Sequence, residues 1–246
     1  MKNEYIPFIS EIKEVIKHTD IEYTFRMTYE GDVKPGQFFE VSLPKFGEAP
    51  ISVSGIGKGT VDLTIRRVGK VTNEIFTNYV GDKLFLRGPY GNGFDVNNYK
   101  GKEITVVAGG TGLSPVRGVV EYFAENREEA ENFNLICGFK SPEDILFKDD
   151  LKLWEDKMNL ILTVDKAHEG YAGNTGLVTT FIPELEIKDI NNTAFIVVGP
   201  PMMMKFTVLE ILKRGVPEEN IWISHERKMC CGLGKCGHCK IDDTYI

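Results

Sequence analysis

The stretch Ile104-Thr105-Val106-Val107-Ala108-Gly109-Gly110-Thr111-Gly112-Leu113-Ser114-Pro115-Val116 decides the fold. Ile104 to Val107 is a continuous apolar run rather than an alternating one, which suits a strand buried on both faces of a parallel sheet. Glycines follow, and then Val116, Val119, Val120 and Phe123 recur at helical spacing, with Pro115 in the first turn, where a missing N–H is tolerated. Strand, glycine loop and helix make one βα unit. Apolar runs recur at Phe133 to Phe139, Leu160 to Val164, Ala194 to Val198 and Ile221 to Ser224, with helical segments expected between them. That alternation specifies a parallel α/β sheet covered on both faces.

Towards the N-terminus the period changes. Ile21, Tyr23, Phe25, Met27 and Tyr29 alternate with polar neighbours, as do Phe39, Val41 and Leu43, and Val61, Leu63 and Ile65, so these segments read as half-buried antiparallel strands. Val33-Lys34-Pro35-Gly36 and Gly55-Ile56-Gly57-Lys58-Gly59 read as turns, and the segment after Gly69, with Ile75 and Tyr79 four apart, is the one helical stretch. A small antiparallel β-barrel is expected. The chain therefore divides into a barrel (1–99), an α/β domain (100–226) and a Gly- and Cys-rich segment (227–246) that follows neither period and is expected to need a metal to order it.

Composition narrows the function. The 246 residues carry 36 acidic and 29 basic side chains, a formal net charge of -7, which argues against a nucleic-acid surface. No apolar h-region and no run of roughly 20 apolar residues is present, so neither a secretory leader nor a membrane span is expected, and the chain reads as cytoplasmic. Of five cysteines, four lie between Cys230 and Cys239, a local cluster that points to metal or redox chemistry rather than to a disulfide framework. Cys137, inside the apolar run Leu135 to Phe139, reads as a buried, inert thiol.

Cys231-Gly-Leu-Gly-Lys-Cys236-Gly-His-Cys239 has the C-x4-C-x2-C spacing of plant-type [2Fe-2S] proteins, in which a distant fourth Cys completes the ligand set. A structural zinc site on the same thiolates, with His238, is the alternative. Cys230 has no place in the spacing, and His238 is otherwise a solvated or outer residue. Gly109, Gly110, Thr111 and Gly112, after a parallel strand and opening a helix, suit a dinucleotide pyrophosphate, with a packing turn as the alternative. The loop departs from G-x-G-x-x-G at Pro115, and Lys140-Ser141-Pro142 after Phe139 supplies no acidic ribose partner, so NADH and NADPH both stay open. Gly199-Pro200-Pro201-Met202 ends another parallel strand on the ligand-binding rim, while the run Met202 to Met204 is expected mainly to fill core. Thr72 has N-cap chemistry, and Arg66 and Arg67 by themselves are solvated charges.

In this order the parts resemble the ferredoxin-NADP reductase superfamily: a barrel, then an α/β domain opening on Gly-Gly-Thr-Gly-x-x-Pro and closing near Gly-Pro-x-Met. With the cysteine loop added, the chain is similar to the branch that includes the electron-transfer subunit of dihydroorotate dehydrogenase. Within it, Gly36 to Pro44, Gly47 to Ser54, Arg87-Gly88-Pro89-Tyr90-Gly91-Asn92-Gly93 and Gly234 to Cys239 most resemble the anaerobic sulfite reductase family, in its B subunit. The resemblance implies FAD on the barrel, with Pro50, Ile51, Ser52 and Val53 along the isoalloxazine. Thr64, Ile65 and Arg66, with Gly69, Val71 and Thr72, would surround the ribityl chain and pyrophosphate; FMN is the minor alternative. Many members carry Arg just before the Pro-x-Ser motif, and this chain has Ala49, so the resemblance leaves the phosphate charge to be carried by Arg66 and the helix start near Thr72 as an expectation.

The resemblance further implies NAD(P)H at Gly109, Gly110, Thr111, Gly112, Pro115, Gly199, Pro200 and Met202, and a [2Fe-2S] cluster on Cys231, Cys236 and Cys239. Electrons would leave for a ferredoxin-like iron–sulfur subunit and a sirohaem subunit that reduces sulfite to sulfide. Partners of the dihydroorotate dehydrogenase, hydrogenase or transhydrogenase type are the alternatives, and a flavin-free, zinc-stapled binding subunit is the distant one. Hydride delivery needs no acid–base pair, and no catalytic residue is nominated. The family pattern places a fourth cysteine just after Thr244-Tyr245-Ile246, so the chain is expected to be truncated ahead of it.

Overall fold

A computed structural model of the chain describes residues 3–79, 81–225 and 229–245. It forms two compact units: one is built from the chain up to Phe94 together with the segment after His225, and the other spans Asp95–His225. The cysteine segment thus belongs to the same unit as the barrel.

In the first unit β1 (Phe8–Lys17), β2 (Glu22–Thr28), β3 (Phe38–Leu43), β4 (Gly47–Gly57), β5 (Thr60–Arg66) and β6 (Lys83–Tyr90) close into a barrel in the order β1-β2-β5-β4-β3-β6. Closure leaves no unpaired strand edge. The alternating residues of the sequence are its core: Phe25, Met27, Phe39, Val41, Leu43, Val61, Leu63 and Ile65 are all essentially inaccessible and pack with Val53, Leu84 and Leu86. Each such side chain contributes on the order of 1.5–3 kcal/mol. Strand β1 is harder to read from sequence, because an irregularity between Ile12 and Glu14 breaks its alternation.

The turn expected at Val33-Lys34-Pro35-Gly36 forms one residue further on, across Lys34-Pro35-Gly36-Gln37, with Gly36 at φ +78° and Gln37 N–H donating to the Lys34 carbonyl at 3.2 Å, because Pro-Gly favours the two central positions. The second turn is shorter than expected. Strand β4 continues through Gly55, Ile56 and Gly57, and Lys58-Gly59 alone reverses the chain, because Gly57 pairs in register with Thr60. The helical stretch is α1 (Lys70–Glu74), continued by a π-helical turn at Ile75–Tyr79. Thr72 is not its N-cap. Gly69 occupies that position, and Thr72 sits three residues on, its Oγ1 accepting from Gly69 N–H at 2.9 Å and Val68 N–H at 3.0 Å.

The second unit is a parallel sheet of β7 (Glu103–Gly109), β8 (Asn132–Phe139), β9 (Asn159–Val164), the two-residue β10 (Asn174–Thr175), β11 (Thr193–Val198) and β12 (Ile221–Ile223), ordered β10-β9-β8-β7-β11-β12. Every residue of β7 and β11 is buried, so both faces at the sheet's centre are covered. The helices are α2 (Leu113–Glu125), with Val116, Val119, Val120 and Phe123 wholly buried, α3 (Lys148–Trp154) and α4 (Pro201–Lys213). One expected helix is missing. Between β9 and β11 the described residues hold β10 and short 3-10 turns, consistent with Gly170, Gly173 and Gly176, whose backbone freedom disfavours a helix. Cys137 lies in β8 at zero exposure, and burial pushes its thiol well up, as an inert core residue requires.

The cysteine segment also departs from expectation, since β13 (Lys240–Ile241) and β14 (Thr244–Tyr245) pair as a hairpin, with Asp242 taking φ +49° in the turn. Two core-facing and surface-facing residues of adjacent strands provide a check on the barrel. Leu63→Ala should cost about 2–5 kcal/mol in urea unfolding, whereas Ile56→Ala, at a side chain 46% exposed, should stay within about 0.5 kcal/mol of the parent.

Candidate functional site

In the second unit the chain leaves β7 for β8 and β9 on one side and returns through β11 to β12 on the other. The carboxyl ends of β7 and β11 are therefore neighbours, with Ala108 opposite Val198, and this switch in direction is where open α/β sheets bind ligands. Both predicted nucleotide loops lie here. Gly112 is forced by contact: a Cβ on it would come within 2.4 Å of the Val198 carbonyl oxygen and 2.8 Å of Gly199 Cα. Gly109 and Gly199 are likewise filled by Met203, whose Sδ would stand 2.4 Å from a Gly109 Cβ. Gly110 differs, because a Cβ there would meet no atom of the described residues within 4 Å.

At the start of α2, Leu113 N–H is taken by the Gly110 and Thr111 carbonyls and Pro115 has no N–H, so the amides without helical acceptors are those ahead of them, where the 3-10 turn Gly110–Gly112 opens. Beside them Ser114, 4% exposed, has its Oγ buried without a hydrogen-bond partner among the described residues. A phosphate oxygen is the kind of acceptor that this end of the loop lacks. Pro115 is buried in the first turn of α2, so its part is to shape the helix start. The three methionines divide: Met204 fills core, Met203 packs on the glycines, and Met202 is 60% exposed rather than a core filler.

On the barrel, the predicted cofactor residues sort by strand face. Val53, Ile65 and Val71 have side chains in the core and Ile51 packs against it, so they offer only main chain outwards. Pro50 is exposed, and Ser52, Arg66 and Gly69 are half-buried. Thr64 belongs to a hydroxyl ladder, its Oγ1 2.7 Å from both Ser54 Oγ and Thr24 Oγ1. Arg66 Nε stands 3.2 Å from the buried Glu22 carboxylate. Ala49 packs against the barrel core.

The cysteine loop covers a charged layer on the outer face of β3, β4 and β6. Arg87, 3% exposed, donates Nε to Glu48 Oε1 at 2.9 Å and Nη2 to Glu48 Oε2, a bidentate pair, and lies with Nη2 3.9 Å from Glu40. Its other side reaches the loop. Nη1 donates to the Cys231 carbonyl and Nη2 to the Cys230 carbonyl at 3.4 Å. Tyr90 closes the layer, its hydroxyl donating to the Glu4 carbonyl at 2.7 Å, and its ring explains Gly232: at φ +73°, a Cβ would come within 2.9 Å of Tyr90 Cδ2.

Charge in this layer is held out of its ordinary balance. Burial pushes the Glu40 carboxyl up to about 7, against the opposing pull of Arg87 and with help from Glu48 and Cys231. Glu48 is held low by its hydrogen bonds from Arg87. Burial works against the Cys231 thiolate, but N–H groups of Cys236, Leu233 and Lys235 and the Cys236 thiol outweigh it and bring the thiol down to about 6. Leu233 N–H lies 3.3 Å from Cys231 Sγ. Cys239 is buried, while Cys236, Cys230 and His238 are exposed. Among the described residues no three His, Cys, Asp or Glu side chains converge as a closed metal site. The amide donors around Cys231 nevertheless suit a metal-bound thiolate, whose charge they would stabilise.

Sequence reading gave Arg87, Glu40 and Glu48 no role. Glu40 left a trace, a lone acid inside Phe38-Phe39-Glu40-Val41, but its partners lie on other strands. Two outcomes follow from this geometry. Gly112→Ala should lower stability by about 1–3 kcal/mol in thermal unfolding, because the atom in its way is main chain. For Glu40, the unfolded carboxyl ionises near its ordinary value of 4.5 and the folded one near 7, so the native state loses stability as pH rises between them. Urea unfolding across that range should show Glu40→Gln escaping the loss, gaining on the order of 1–3 kcal/mol over the parent by about pH 8.

Residues 106–208 match the family described as oxidoreductase NAD-binding domain. Over 96% of its length the chain is 36% identical to the sulfhydrogenase 2 gamma subunit of Pyrococcus furiosus, covering 89% of that protein. It is 31% identical to the probable dihydroorotate dehydrogenase B (NAD(+)) electron transfer subunit of the same organism, over 95% of this chain and 83% of that one. Among solved structures, an NADH-dependent reduced ferredoxin-NADP oxidoreductase superposes with a TM-score of 0.77 at 27% identity, covering 94% of this chain and 80% of that one. The barrel order, the switch-point glycines and these likenesses agree: the chain belongs to the ferredoxin-NADP reductase superfamily, close to sulfhydrogenase gamma and dihydroorotate dehydrogenase B electron-transfer subunits, and is an NAD(P)H-dependent oxidoreductase subunit.

Proposed function

We propose that this subunit carries electrons from NAD(P)H through FAD on the barrel to a [2Fe-2S] cluster held by Cys231, Cys236 and Cys239. Its outlet is a ferredoxin-like iron–sulfur subunit and a sirohaem subunit that reduces sulfite to sulfide. The observation that carries the relay is the shared unit: the cysteine loop is seated by Arg87 on the barrel whose β4 holds the Pro50-to-Val53 stretch. Nicotinamide releases electrons in pairs as hydride, a cluster takes one at a time, and a flavin exchanges either, which is the chemistry these groups supply when bound.

The chain's own residues position them. Main-chain amides at Gly109 to Gly112 hold a pyrophosphate, with Ser114 Oγ as a further donor and Gly199, Pro200 and Met202 forming the opposite wall. Pro50, Ser52 and the main chain of Ile51 and Val53 line the flavin ring. Thr64 to Arg66 and Gly69 to Thr72 hold its ribityl and phosphate end, the Arg66 Nη groups and the amides opening α1 replacing the arginine that Ala49 lacks. FMN, which asks less of this end, is the minor alternative. Hydride transfer between two bound cofactors needs no side-chain acid or base, so holding and orienting are the protein's task.

The sulfite outlet rests on the four stretches from Gly36 to Cys239 quoted above. A hydrogenase-type outlet is the second reading, favoured by the 36% identity to a sulfhydrogenase gamma subunit. Anaerobic purification from the native source, with flavin and iron measured and the co-purifying subunits identified, tests both. Flavin, iron and a sirohaem partner are expected; zinc without flavin removes the relay, and a hydrogenase partner removes the sulfite outlet. Cys236→Ser should abolish transfer to the partner while NADH-to-dye activity stays within about twofold of the parent, as separate carriers require.

A further inference from the structure

Arg87 is an expensive residue to bury, and neither of the nucleotide sites uses it. Its guanidinium is 3% exposed and divides its donors between two structures: Nε and Nη2 grip Glu48, and Nη1 and Nη2 reach the carbonyls of Cys231 and Cys230. Glu48 stands two residues before Pro50 on β4, and Glu40 pairs in register with both Pro50 and Arg87. The guanidinium thus joins the strand proposed to carry the flavin to the loop proposed to carry the cluster. A lysine could supply the charge but not the fork, since one ammonium cannot hold a carboxylate side-on and two carbonyls in one plane.

From this geometry we infer that Arg87 is a positioning residue that seats the cysteine loop on the barrel and, through its fixed positive charge beside Cys231, favours the reduced form of the site. The inference rests on the cluster reading above. An added electron makes the site more negative, and a buried cation nearby stabilises that state, whereas Glu48, the partner carboxylate, opposes it. Removing either residue loosens the same clamp, but the two removals change the local charge in opposite directions.

That opposition makes the test. The as-purified holoprotein and its Arg87→Gln, Arg87→Lys and Glu48→Gln variants are titrated anaerobically, following the visible and paramagnetic signals of the cluster. Arg87→Gln should lower the midpoint by at least a tenfold change in the one-electron equilibrium, about 59 mV, and Glu48→Gln should raise it. Arg87→Lys should keep the midpoint nearer the parent but lose amide-exchange protection across Cys230 to Cys239, at least tenfold in rate. If Arg87→Gln does not fold, the surface-accessible Glu48→Gln and the charge-conserving Arg87→Lys still decide the matter. Midpoints that move the same way in Arg87→Gln and Glu48→Gln, or not at all in Glu48→Gln, overturn the inference while a parent protein containing the cluster leaves the relay standing. A parent protein with flavin but no cluster overturns both.

Discussion

A guanidinium cannot be left unpaired in a protein interior, and that constraint decides where the end of this chain goes. Arg87 lies on the outside of a closed barrel, where strand alternation turns it away from the core. It would be an ordinary solvated charge if nothing covered it. The two acids beside it, Glu40 and Glu48, do not exhaust its donors, and the carbonyls of Cys230 and Cys231, with the Tyr90 hydroxyl, take others. Breaking such a pair costs more than forming it gains, because the partner left behind keeps its charge without water. The layer therefore specifies position more than it adds stability, and the cysteine loop follows the barrel rather than standing as a third body.

The same economy of main chain governs the two glycine loops of the parallel sheet. At the glycine loops that end β7 and β11, what matters is how closely two backbones come together. Gly112 against the Val198 carbonyl is the tightest point, and Met203 fills the hollow that Gly109 and Gly199 leave. These contacts shape the cradle from behind, while Gly110 faces away from the packed side. In the cysteine loop, N–H groups from Leu233, Lys235 and Cys236 gather on one sulfur and favour its thiolate before any charge from elsewhere is considered. Both sites are thus made largely of oriented amides, which carry partial positive charge without needing a counter-ion.

Much of this was legible in the residues. The continuous apolar run from Ile104 and the helical spacing of Val116 to Phe123 identified β7 and α2, because each pattern has one period and one way to bury it. The alternations around Phe25, Phe39 and Leu63 likewise identified barrel strands and their inward faces. Reading failed where local chemistry was ambiguous. Gly55-Ile56-Gly57 looked like a turn and is strand, since cross-strand pairing to β5 outweighs the low strand preference of glycine. Thr72 looked like a cap and sits one turn inside, because a cap is defined by where the preceding chain leaves the helix.

The sequence alone determined the two periodicities, the order barrel then α/β, and the clustering of cysteines in a glycine-rich loop, all of which depend on neighbours within a few residues. Only the tertiary structure decided which of those residues act together. Arg87 and Cys231 are 144 positions apart, Gly112 and Val198 are 86, and no local pattern encodes either meeting. Strand pairing brings them together, and burial then gives their few polar contacts a weight that they would not have in water.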